Sequence, residues 1–230
     1  MIRSVGTAAA HIVGTLRQAL PFSEERLAAG IYQAPAELLG PLDRATAEHL
    51  TEALVAAGLE AEILGADEPF TPGGPDYDVA LVIQHFDRLV EVAREIARFL
   101  GVSVDQARRI LYTCPTELIG KVSLSTVEAI RHRFEPLGVT VEASRRDQAL
   151  FDVFLGACSP PQQEQARGHL REAGLPLDGG DPANRLPGCL SQGLVKGDAE
   201  AFWQRIRASG MPLRIINRDF QRFDLRLDES

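Results

Sequence analysis

Cys114 stands immediately before Pro115, and His132 falls on the helix predicted next. A thiol and an imidazole are the parts of a nucleophile and base pair when the fold brings them within hydrogen-bond reach. The matching stretch 80 residues earlier carries Ala34 and Glu52 in those places, so a small residue and an ordinary helical surface residue suffice there. We therefore read Cys114 and His132 as structural. His11, His49, His85, His132 and His169 stand singly, with no i, i+4 spacing on one helix, and imply no metal site. "TPGGPD" and "LDGGDP" lack the G-x-x-x-x-G-K-[ST] order that cradles phosphate, and turn chemistry accounts for them. The cationic run Arg108, Arg109, Arg131, His132 and Arg133 forms one basic patch if its two helices pack side by side, which would suit an acidic partner. Phe202 and Trp203 share one helix, where one can be core and the other exposed, and two packed core aromatics stand as an equal reading beside an interface hot spot.

These residues sit in a chain with the balance of an ordinary globular protein, 45% hydrophobic and 24% charged, which can bury a core. Its 230 residues fit two or three compact units. A formal charge of -8 disfavours a phosphate-tracking surface, so nucleic acid is not the expected partner. Cys114, Cys158 and Cys189 are odd in number and lack a C-x-x-C pair, which argues against a disulfide framework or structural zinc and suits a reducing cytoplasm. The small-residue run from Gly6 to Ala10 is too short for a secretory signal, and no window approaches a membrane span of ~20 apolar residues. The mature protein is expected to begin near Met1.

What must position the candidates is a repeated element pattern. Residues 32–62 set against 112–142, at a constant offset of 80, pair Tyr32 with Tyr112, Pro35 with Pro115, Glu37 with Glu117, Gly58 with Gly138 and Glu62 with Glu142. In 77–146, "YDVALVI" reads as a buried strand. "DRLVEVAREIARFLG" reads as a helix closed by Gly101, and "SVDQARRIL" as a second helix capped by Ser103. "ELIGKVS" is a strand, Ser123 or Ser125 caps a third helix that ends at Gly138, and "VTVEA" is an alternating strand. The first segment, 1–65, follows the same order from "MIRSV" through "AELLGPL" to "LEAEIL". The third, 147–230, keeps it in "FDVFLGA", "CLSQGLV" and "MPLRIIN", puts a Pro- and Gly-rich loop in place of a second helix, and adds "FQRFDLRLD" as an edge strand or arm. Residues 66–76 form a linker whose composition leads us to expect a hinge after the first segment, and the short join at 144–148 leads us to expect close packing of the second on the third.

The second segment resembles the C-terminal domain of the bacterial ribosomal stalk protein, which recruits translation GTPases. The match runs through Gly101, Val102, Val104, Ala107, Arg108, Pro115, Val122, Ser123, Glu128, Ala129, Gly138, Val141 and Glu142. The first segment matches from about Ile31 to Ile63 and the third from about Pro187 to Ile216. This resemblance implies a small α+β sandwich of three antiparallel strands backed by helices, a fold shared with the adaptor of the Clp protease, and protein binding as the default role. Asp105 replaces a family lysine while Arg108 keeps the second basic position. The family's dimerisation segment, its hinge and the Clp adaptor's acidic pocket have no recognisable counterpart, so an ordinary stalk protein is not expected.

The sequence thus predicts an α+β chain of three tandem βααβαβ units acting as a noncatalytic adaptor or assembly component. Arg108, Arg109, Arg131, Arg133, Phe202 and Trp203 are the expected partner-binding residues, and no catalytic, cofactor or metal residue is assigned. Two other readings stand beside it. One is an enzyme or ligand-binding protein with a site between units, for which Cys114, Asp181 and His169 qualify only by residue type. The other is a translation-GTPase or ribosome-associated factor.

Overall fold

The computed structural model describes residues 1–65, 67–72, 74–113, 115–156, 158–177 and 188–221. Cys114 and Asp181, most of the loop at 175–188 and most of the arm at 220–228 lie outside them. The architecture is mixed α+β. In the first segment β1 (Ile2–Ser4), α1 (His11–Ala19), α2 (Glu24–Tyr32), α3 (Arg44–Ala56) and β2 (Glu60–Ala61) follow one another. The second contains β3 (Tyr77–Ile83), α4 (Leu89–Leu100), α5 (Val104–Leu111), β4 (Thr116–Val122), α6 (Leu124–Phe134) and β5 (Val139–Arg145). In the third are β6 (Leu150–Leu155), α7 (Pro160–Glu172), β7 (Gly188–Val195), α8 (Lys196–Ile206) and β8 (Leu213–Asn217).

Two antiparallel three-stranded sheets result, ordered β4-β3-β5 and β7-β6-β8, together with an antiparallel β1-β2 pair. The strand expected over "AELLGPL" is reduced to a single bridge, Ile2 to Ala36. Pro41 has no N–H to give a ladder, although Leu38 from the same stretch is still buried. In all three segments a buried residue of the central strand is opposed on both sides. Ile2 faces Ala36 and Ala61, Leu81 faces Thr116 and Val141, and Leu155 faces Gly188 and Leu213. The flanking partners are 80 residues apart between the first and second rungs and 72 apart between the second and third.

Helix ends follow the same spacing. Ser23 and Ser103 cap α2 and α5, and Asp43 and Ser123 cap α3 and α6; each side chain accepts a backbone N–H three residues on. Gly58 and Gly138 stop the last helical turns at φ +92° and +69°, a region that a side chain resists.

The described chain divides into two compact units, 1–145 and 146–230. The hinge expected at the Pro- and Gly-rich stretch is not where this division falls. Ile2, Leu27 and Ile31 from the first segment belong to one hydrophobic cluster with Phe99, Ile130 and Phe134 from the second. Shared apolar burial outweighs the flexibility that the composition of 66–76 suggests, because separating the segments would return those side chains to water. The unit 146–230 has its own cluster, which includes Val153, Leu155, Leu170, Phe202 and Ile206. Among the described residues no helix is long and apolar enough to cross a membrane.

Candidate partner-docking site

The α5 helix is held rigidly at its start. Ser103 Oγ accepts from Gln106 N at 3.2 Å, and Gln106 Oε1 accepts from Ser103 N at 2.9 Å, so two otherwise orphaned amides are satisfied. Gly101, at φ +69°, turns the chain from α4 into α5, and α5 then packs against α4 and β4. Ala107 is buried while Ile110 and Leu111 are half-buried, so this face points inward. Four-residue steps place Val104, Arg108 and Tyr112 in a row beside this face. Val104 is 36% exposed and Tyr112 79% exposed. Arg109 is exposed beside this stripe, and Arg108 makes only a long, solvated contact of 3.4 Å with Asp105.

Of the other expected binding residues, Arg131 is exposed on α6 and paired with Glu128. Its helix packs against β5, β1, β3 and α4, whereas α5 packs against α4 and β4, so the two-helix basic face does not form as expected. Arg133 is a structural cation. Its side chain is 7% exposed, its Nε donates to Gly6 O at 3.2 Å, and its Nη2 donates to Ala8 O at 2.5 Å. Glu95 lies 3.5 Å from Nη1, and the guanidinium sits 5.1 Å from the Phe99 ring centre. Burial pulls the Arg133 pKa below its ordinary value, partly offset by Glu95. Thr126, Ile130 and Arg133 share the α6 stripe directed at the first segment, so an arginine in that row is enclosed however polar its type. His132 is exposed, and its Nδ1 lies 2.8 Å from Glu128 O, an ordinary helical surface contact.

Phe202 is a core residue at 1% exposure, aligned on α8 with buried Ala199 and Ile206. Trp203 falls one position off that stripe and is exposed. The pair therefore divides into one packed and one surface aromatic, and Phe202 is removed from the docking surface.

Tyr112, exposed at the end of the row of Val104 and Arg108, was not among the expected binding residues, although it aligns with Tyr32 at the offset of 80. Tyr32 itself is half-buried, edge-on to Phe99 with ring centres 6.0 Å apart. Its carbonyl accepts from Ser123 N and from Thr126 Oγ1, both at 2.9 Å. Ala34 O accepts from Ser125 Oγ at 2.8 Å. Beside this seat runs an open groove of about 450 Å³, lined by Arg26, Gln33, Glu37, Phe70 and Asp76 among others. Among the described residues no cluster of three or more His, Cys, Asp or Glu is placed to hold a metal ion. Cys158 and Cys189 are both half-buried, and Cys189 Sγ donates to Ser191 O at 3.3 Å.

Comparison with protein-family models, with curated proteins and with solved structures gives no match.

Proposed function

We propose that the chain is a noncatalytic adaptor or assembly component, built from three related α+β segments, that docks a protein with an acidic surface through α5. The observation that carries this reading is the exposed row of Val104, Arg108 and Tyr112 with Arg109 alongside, on a helix fixed by a capping box. Aromatic and arginine side chains dominate binding energy at protein interfaces, and a pre-ordered helix loses little entropy on docking. The constant spacing of the sheet rungs and caps supports descent of the segments from one unit. The likeness of 77–146 to the stalk-protein domain belongs to the same proposal, as does a cytoplasmic location, which suits three widely spaced cysteines without a C-x-x-C pair.

Capture of the tagged protein from its own cells at low ionic strength, with mass-spectrometric identification of what accompanies it, tests the reading. A stoichiometric partner lost from an Arg108→Glu, Arg109→Glu variant of unchanged circular dichroism is the expected result. A partner retained in full by that variant would remove α5 as the docking surface.

A further inference from the structure

The chain contains, within itself, an example of what a Tyr112-type edge binds. The last turn of α2 ends at Tyr32, and the carbonyls of Tyr32 and Ala34 plug the N-terminal turn of α6 at Ser123, Ser125 and Thr126. Exposed amides at a helix start need acceptors, and here a neighbouring segment supplies them. Tyr112 stands at the equivalent end of α5, yet its ring is 79% exposed. Among the described residues its carbonyl accepts no hydrogen bond. One segment has its plug seated, and the next leaves its plug open.

In the first segment the seat equivalent to Ser123–Thr126 is the start of α3. Asp43 stands where Ser123 stands and Thr46 where Thr126 stands; both are exposed, as are Glu48 and Glu52 further along. The seat lacks the ring and the guanidinium of its counterpart, because Ala19 and Ala53 occupy the places of Phe99 and Arg133. Charge compensates for that loss. Where the seated plug has Ala28 and Ala29, the open plug carries Arg108 and Arg109, opposite in sign to Asp43, Glu48 and Glu52.

Resting on the docking role proposed for α5, we infer that its partner is a second copy of this chain, whose α3 N-terminus receives the Tyr112 edge. The Tyr112 carbonyl accepts from the Asp43 amide, and the Thr46 hydroxyl turns from Asp43 to the same carbonyl. Arg108 and Arg109 meet the acidic side of α3. Because plug and seat are different surfaces, the contact is head-to-tail and repeats from chain to chain, closing as a ring or growing as a filament. Its ionic component is weakened by salt.

Sedimentation velocity on the full chain over a concentration series, at ~50 mM and ~500 mM salt, decides the matter. The wild type should sediment faster as concentration rises at low salt and revert toward the monomer at high salt. The Arg108→Glu/Arg109→Glu pair and the Glu48→Arg/Glu52→Arg pair should each raise the dissociation constant at least tenfold. An equimolar mixture of the two charge-reversed chains should reassemble, since each then offers the other a complementary plug and seat. Circular dichroism of every variant controls for folding. A wild type that stays monomeric at all concentrations, or reversed chains that fail to reassemble when mixed, overturns the inference. A monomer that still captures a different protein through Arg108 and Arg109 overturns self-association and leaves the docking role of α5 standing; loss of both removes the two together.

Discussion

Arg133 shows how far a residue's surroundings can change the meaning of its type. It joins two backbone carbonyls of the first segment to Glu95 and to the face of Phe99. Removing one partner from an enclosed charged network leaves the others unpaired. Arg133→Met should therefore lower stability by about 3 kcal/mol, read as a fall in the urea midpoint, whereas Arg133→Lys should lose less. Gly58 is constrained by backbone geometry. At φ +92° a Cβ there would stand 2.9 Å from Ala8 N, so Gly58→Ala should cost roughly 1–3 kcal/mol in the same measurement. The Asp43 carboxyl is held below its ordinary pKa, first by the Thr46 hydroxyl and then by the Thr46 amide. A depressed carboxylate contributes stability that is complete above its unfolded-state pKa and disappears as pH falls through the folded value. Asp43→Asn keeps a capping oxygen and should flatten that part of the acid dependence, as followed by urea midpoints between neutral and acid pH.

Among the elements, α6 does the most to organise the unit 1–145. One stripe of it enters the core through Val127, Ile130 and Phe134. Its first turn receives Tyr32 O and Ala34 O, and its last turn sends Arg133 to the loop after β1. These contacts share partners, so their effects should not add. Thr126→Val and Ser125→Ala should each cost about 1 kcal/mol, and the double variant should show coupling between them, measured by equilibrium denaturation. The reversal of Arg108 and Arg109 should leave the denaturation curve unchanged, since both side chains lie outside these contacts.

At the scale of the molecule, two cores set the units of cooperativity. The first two segments bury their apolar residues in one cluster, and 146–230 buries its own. A fragment of residues 1–145 should therefore unfold in a single cooperative step by circular dichroism. A fragment of residues 1–76 should fail to fold, because β1, Leu27 and Ile31 would lose the helices that cover them. Cooperative unfolding of that shorter fragment would show that the first segment stands alone, and with it the expected hinge would return.

The α+β class and the caps at Ser103 and Gly138 were legible in the chain because they depend on local chemistry. "YDVALVI" is apolar along its length, Ser103 precedes Gln106 at capping-box spacing, and Gly138 supplies the left-handed stop. The offset of 80 also announced that whatever holds Pro115 in place has a counterpart at Pro35. What periodicity cannot express is which polar face meets another part of the chain. Arg109 and Arg133 look alike in sequence, but one is in solvent and the other is enclosed, because only the α6 stripe confronts the first segment. Tyr32 and Tyr112 share type, helix end and a following proline; one is packed on Phe99 and the other stands in water. Local sequence determined the shape of each segment, and the tertiary structure alone decided which of its surfaces remain open, since burial is settled by contacts between residues far apart in the chain.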